Sequence, residues 1–237
     1  MLLHGFAGTG LSWGPVIEQL DGARYRAVAP DLRGHGRRAA LRPVSFDGCV
    51  RDVLACAPST PCTLVGYSLG GRVALHVALT APARVGRLVL VSCTAGIEHP
   101  GERAERAVAD AALAGRAERM TRDDFAREWQ TQALFDGTPP AAAAAWSADL
   151  RRTAPRDLAA VLRGIGTGAM APLWSRLGEL TMPCEVVVGE RDTKFRALGE
   201  RLAAALPDAR LHVVPRSGHG VPREAPAQLA ALLQREP

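Results

Sequence analysis

A serine set between two glycines is the residue of this chain best placed to do chemistry. In Gly66-Tyr67-Ser68-Leu69-Gly70 it follows an apolar run ending at Val65 and precedes a helical run that begins at Val73. That is the G-x-S-x-G pattern of a nucleophile elbow, a sharp strand-to-helix turn that pushes the serine hydroxyl into the open. Glycine is needed on both sides because side chains there would collide with neighbouring backbone. A serine becomes reactive when an imidazole can take its proton and a carboxylate holds that imidazole in one tautomer. On a strand–turn–helix scaffold the partners come in the order Ser, Asp, His, each on a loop after a late strand. Asp192, just beyond an apolar run ending at Val188, and His219, just beyond Val214, meet that requirement. Their rivals sit less well: His76 and His212 fall inside a helix and a strand, His35 shapes a turn, His99 opens a helical region, and Glu185 and Glu190 precede the turn. His4-Gly5 after the first strand supplies the remaining part, an oxyanion hole built from the amides of Phe6 and Leu69, with His4 itself structural.

These residues need a parallel sheet beneath them. Short apolar runs alternate with helical patterns through the first ninety residues, the mark of βα units. Strands are expected at residues 1–3, 26–29, 63–65 and 87–91, and helices at 12–20, 46–57 and 69–79. From 97 to 177 the chain turns helical and rich in Ala, Arg and Glu, with Pro139 and Pro140 opening one helix and Gly164, Gly166 and Gly168 interrupting the pattern. Alternation then resumes, with strands at 184–188 and 210–214 and helices at 195–206 and 226–234. The expected domain order is therefore a core from 1–96 and 178–237 with a helical cap inserted at 97–177.

Composition excludes several classes. The 237 residues suit one α/β domain with an insertion, and 47% hydrophobic with 22% charged residues is ordinary for a globular chain. No apolar run reaches the length of a membrane span, and no basic segment followed by an apolar stretch marks a signal peptide, so a cytoplasmic location is expected. Five scattered cysteines lack the close spacing of metal sites and read as buried thiols. The net charge of +5 comes from dispersed arginines without interleaved aromatics, which argues against nucleic acid as partner. Lys194 is the single lysine.

Several segments are more particular than the elbow. Residues 4–6, 31–36, 66–72, 189–195 and 217–226, with 101–106, 129–135 and 162–173 in the helical region, resemble the 2-succinyl-6-hydroxy-2,4-cyclohexadiene-1-carboxylate synthase family of the α/β-hydrolase superfamily. These are the pyruvate-eliminating enzymes of menaquinone biosynthesis. The resemblance implies an α/β-hydrolase fold, and a lyase that removes a ring proton and then expels pyruvate from 2-succinyl-5-enolpyruvyl-6-hydroxy-3-cyclohexene-1-carboxylate. It implies Ser68 as general base with His219 and Asp192, no cofactor and no metal. A polycarboxylate substrate calls for cations. Arg72, one helical turn past Ser68, faces the same side and could hold a carboxylate bidentately. By the resemblance, Arg106 and Arg151 (or Arg152, one residue on) match carboxylate-binding arginines, Tyr67 and Trp129 match residues lining the site, and Lys194 matches a further basic residue. Family members carry an additional segment before the His-Gly-Phe motif, so the expectation is either a start that lies upstream or a sheet shortened at that edge. Elbow and triad alone suit a serine esterase or carbon–carbon bond hydrolase equally well, because fold does not fix substrate.

Overall fold

The computed structural model describes residues 1–235. Five strands, β1 (Leu2–Leu3), β2 (Cys62–Tyr67), β3 (Val85–Val91), β4 (Cys184–Gly189) and β5 (Ala209–Val214), form one parallel sheet in chain order. The helices are α1 (Gly14–Ile17), α2 (Phe46–Cys56), α3 (Leu69–Thr80), α4 (Pro100–Ala117), α5 (Arg122–Gln130), α6 (Pro140–Leu150), α7 (Pro155–Ile165), α8 (Thr193–Ala205), α9 (Val221–Glu224) and α10 (Pro226–Leu233). The strands read as nearly continuous apolar runs because both faces of the sheet are covered. Leu64, Leu88, Leu90 and Val186 point to one face and pack with Val73, Leu75 and Leu202. Val65, Val89, Val91 and Val187 point to the other and pack with Val16, Leu229 and Leu233. Each fully buried side chain of this kind contributes roughly 1.5–3 kcal/mol.

Two local expectations need correcting. Residues 26–29 form no strand: the Leu2 amide donates to Val28 O (2.8 Å), and one such bond does not make a ladder. The helix expected at 12–20 is a single 3-10 turn (Gly10–Trp13) running into the four-residue α1.

Between β3 and β4 the chain forms α4 to α7 and no strand. These helices share their own apolar cluster, in which Phe125, Trp146, Leu150, Leu158 and Leu162 close over Phe6 and Ala7 of the loop after β1. Gly164 does not break α7. The helix runs through it to Ile165, and a Cβ on Gly164 would lie 1.9 Å from Val44 O, so the glycine serves close packing against the core. Among the described residues no helix is long and apolar enough to cross a membrane. All five cysteines are free, three of them buried and two half-buried.

Candidate active site

The turn after β2 brings Ser68 to φ 51°, ψ −109°, a conformation that costs a non-glycine residue roughly 1–3 kcal/mol and persists only where the surroundings enforce it. Those surroundings are backbone. A Cβ on Gly66 would sit 2.4 Å from Gly70 O, and one on Gly70 would sit 2.2 Å from Leu3 O, so β1, β2 and α3 converge at a distance only glycines permit.

His219 Nε2 lies 3.2 Å from Ser68 Oγ, and His219 Nδ1 lies 2.7 Å from Asp192 Oδ2. An ionised carboxylate can only accept, so Nδ1 carries the proton and Nε2 is left to accept from the serine hydroxyl. The other oxygen, Asp192 Oδ1, accepts from the Phe195 amide (3.2 Å) at the start of α8, which holds the carboxylate in place. Rings of Phe195, Tyr67 and Phe135 wall the imidazole at 4.4, 5.5 and 5.9 Å. Burial lowers the His219 pKa below the ordinary imidazole value, and the hydrogen bond that His219 donates to Asp192 pulls the other way.

The amides of Phe6, in the loop after β1, and of Leu69, next to the serine at the start of α3, have no acceptor among the described residues. The loop carrying Phe6 is held from below by two buried histidines. His35 Nε2 accepts from the Ala7 amide (3.2 Å) and His4 Nε2 accepts from the Leu32 amide (2.9 Å), while His4 Nδ1 donates to Gly5 O (2.8 Å). Both must be neutral at Nε2 to do so, and burial depresses both pKa values, that of His35 well below the ordinary range.

A cavity of about 690 Å³ opens above these groups, roofed by the helices between β3 and β4. Arg72, Arg106, Arg191, Lys194 and Arg223 line it, against the carboxylates of Asp136 and Asp192. Arg72 is buried, with Ile165 O (2.7 Å) as the one protein acceptor of its guanidinium among the described residues. Burial, and then the neighbouring Arg106, push its pKa down to about 10. It remains charged at neutral pH, and its other N–H groups stay available to an anion. Arg106 lines the cavity while its Nε bonds Asp110 (2.7 Å). Trp129 lines it too, with a buried indole N–H that has no acceptor among the described residues. Tyr67 contributes a hydroxyl 3.1 Å from Arg223 Nη2, and Lys194 sits at the mouth of α8 with Nζ 6.0 Å from the Phe195 ring centre.

Arg151 is not brought to this cavity. It lies one helical turn after Ser147, whereas Trp146 and Leu150 occupy the buried face of α6, so its guanidinium turns outward to Asp123 and Ser147 O (2.7 Å). Arg152 pairs with Asp149 (3.4 Å) beside a separate, smaller cavity of about 290 Å³. Arg191 and Arg223, which sequence reasoning passed over, bring the cations instead. Their signal was adjacency: one directly precedes Asp192 and the other follows His219 by four residues.

A family model described as the alpha/beta hydrolase family matches residues 1–232. A protein of Salmonella schwarzengrund (strain CVM19633), named 2-succinyl-6-hydroxy-2,4-cyclohexadiene-1-carboxylate synthase, is 34% identical over 230 residues, covering 96% of this chain and 88% of its own. A Bacillus subtilis (strain 168) protein provisionally given the same name is 35% identical, covering 94% and 84%. Among solved structures, that of MenH from S. aureus superposes with a TM-score of 0.92 at 28% identity, over 98% of this chain and 90% of the other. A thermophilic esterase from Thermogutta terrifontis, malate bound, gives 0.82 at 24% identity over 98% and 86%, a likeness of fold alone.

Proposed function

Since the chain belongs to the alpha/beta hydrolase family, and within it to the 2-succinyl-6-hydroxy-2,4-cyclohexadiene-1-carboxylate synthases, we propose that it eliminates pyruvate from 2-succinyl-5-enolpyruvyl-6-hydroxy-3-cyclohexene-1-carboxylate in menaquinone biosynthesis. It is an enzyme, and the reading makes it a carbon–oxygen lyase. His219 accepts the Ser68 proton through Nε2, and the serine oxygen then takes a proton from the substrate ring. The electron pair of that C–H bond forms a ring double bond, the conjugated system shifts, and the C–O bond to enolpyruvate breaks. Enolpyruvate leaves as its enolate and takes on carbon, directly or through solvent, the proton that His219 has gained, which gives pyruvate and restores the neutral imidazole. Asp192 stabilises the imidazolium that forms at His219, and the Phe6 and Leu69 amides stabilise negative charge on the carbonyl conjugated with the ring. Arg72, Arg106 and Lys194 hold the carboxylates, with Tyr67 and Trp129 against the ring, so binding energy from groups that do not react orients the one that does.

The observation that carries this reading is Arg72: a charged guanidinium buried one helical turn from the serine, with a single protein acceptor among the described residues, in a cavity where a neutral ester would leave that charge unpaired. The test is pyruvate release from the enolpyruvyl precursor, measured in parallel with hydrolysis of an activated neutral ester. Pyruvate release with weak esterase turnover is expected; ester turnover without pyruvate overturns the proposal in favour of a hydrolase.

A further inference from the structure

His219 sits between two glycines, Gly218 and Gly220, in the turn between β5 and α9. Such a turn has little stiffness of its own, yet the imidazole must be held to a few tenths of an ångström between Ser68 and Asp192. The stiffness comes from Glu224. Its side chain is 2% exposed, its Oε2 accepts from the Gly218 amide (2.8 Å), and its Oε1 accepts from the Gly220 amide (3.0 Å). One carboxylate therefore grips the backbone on both sides of the histidine. The glycines are part of the grip, since a Cβ on either would stand 3.2 or 3.0 Å from Glu224 Oε1.

The carboxylate is itself held. Arg191 Nη2 donates to Glu224 Oε2 (2.7 Å), the Arg191 amide donates to Ser217 O (2.9 Å), and Arg191 Nη1 donates to Gly137 O (2.7 Å). Arg191 directly precedes Asp192, so one guanidinium joins the loop of the acid to the loop of the histidine. Gly137 belongs to the turn leading into α6, in the helical roof of the cavity, where its φ of +71° and a would-be Cβ 2.8 Å from Arg191 Nη1 suit glycine.

We infer that Glu224 is the positioning residue for the His219 imidazole and that Arg191 holds the Glu224 carboxylate in that place, tying it to the Asp192 loop and to Gly137. The inference rests on the reading of His219 as the group that takes the Ser68 proton. In the absence of the strap, the Gly218–His219–Gly220 turn explores geometries in which Nε2 misses the serine, and the fraction of productive molecules falls while the carboxylate-binding arginines stay where they are. The signature is a fall in kcat with KM little changed.

The experiment compares the wild-type enzyme with Glu224→Gln, Arg191→Met and His219→Ala, by downfield proton NMR and by pyruvate release. The Nδ1 proton shared by His219 and Asp192 is expected as a downfield resonance absent in His219→Ala. In Glu224→Gln one amide oxygen cannot serve both glycine amides, so this resonance broadens or disappears and kcat falls about 100-fold, with KM within about twofold. In Arg191→Met both amides keep their carboxylate but the tie to the roof is gone: kcat falls about tenfold and the resonance persists with faster solvent exchange. An unshifted resonance and full kcat in Glu224→Gln, or a lowered Tm as its sole effect, overturns the inference. Should Glu224→Gln fail to fold, wild-type exchange and kcat in Arg191→Met overturn it. The NMR arm needs no substrate, so it tests the clamp even if the precursor releases no pyruvate, an outcome that counts against the proposed reaction alone.

Discussion

Two carboxylate–histidine pairs span β4 and β5, and they share a sequence separation of 27 residues. Asp192 and His219 lie beyond the C-terminal ends of the strands; Glu185 and His212 lie within them. Glu185 is bonded by His212 and by Arg87 Nη2 (3.0 Å), while Arg87 also donates to the carbonyls of Leu232, Leu233 and Arg235 at the end of α10. That network is a bolt between the sheet and the last helix. The upper pair differs in three ways: a serine oxygen stands 3.2 Å from the imidazole, the Phe6 and Leu69 amides have no acceptor among the described residues, and the cavity opens above. A buried acid–imidazole contact is thus no evidence of catalysis by itself. Inside strands the ladder closes the space around it, and beyond the strand ends the loops leave room for a substrate.

Breaking the two pairs should separate them cleanly. His219→Ala is expected to lower pyruvate release about 10³-fold with little change in Tm, and Asp192→Asn to follow within a factor of ten, as loss of an acid–base group predicts. His212→Ala should leave kcat unaltered, and an equal loss from both histidines would sink the distinction drawn here. Glu185→Gln is expected to act on stability: it leaves a buried guanidinium without its counter-charge and should cost roughly 3 kcal/mol, seen as a lower denaturant midpoint with kcat unchanged well below the transition. Next in size, Arg72→Ala should reduce kcat/KM for the carboxylate substrate about 10- to 100-fold, the worth of a charge-assisted hydrogen bond, while a neutral ester is much less affected. Similar losses on both substrates would make Arg72 a structural residue.

The smallest effect is on pH. His219 must be neutral at Nε2 to accept the serine proton, so activity is lost as pH falls through its pKa. Burial holds that pKa below the ordinary value of about 6.5, and the acid limb of kcat/KM should lie below that pH. A limb at or above 6.5 would mean that the Asp192 charge outweighs burial. Stability has its own acid limb from His35, whose pKa is depressed in the fold. The unfolded chain binds the proton first, so stability is full above about 6.5 and declines as pH falls toward the folded value.

Much of the scaffold was legible because it follows from short-range rules. The elbow, strands β2 to β5 and helices α2 and α3 are read from glycine spacing, apolar runs and periodicity, each determined by residues close in sequence. The misread elements lacked such closure. Residues 26–29 have the pattern of a strand but one ladder bond, and Gly164 reads as a helix breaker until Val44 O is seen beside it. Among the cations, Arg72 could be assigned to the cavity from its distance to Ser68, one turn along a helix whose start was already marked. Arg151 could not, because the rotation of α6 against α5 and α9 decides which of its faces turns inward.

The sequence by itself determined the residue types of the site, their order and the local turns that expose them, because an elbow and a strand end are each encoded within a few positions. Tertiary structure decided which charges meet. Arg191, Glu224 and Gly137 are separated by tens of residues and are joined by hydrogen bonds whose geometry depends on how the roof sits on the sheet. No local pattern records that distance, since it is the sum of all the packing between them.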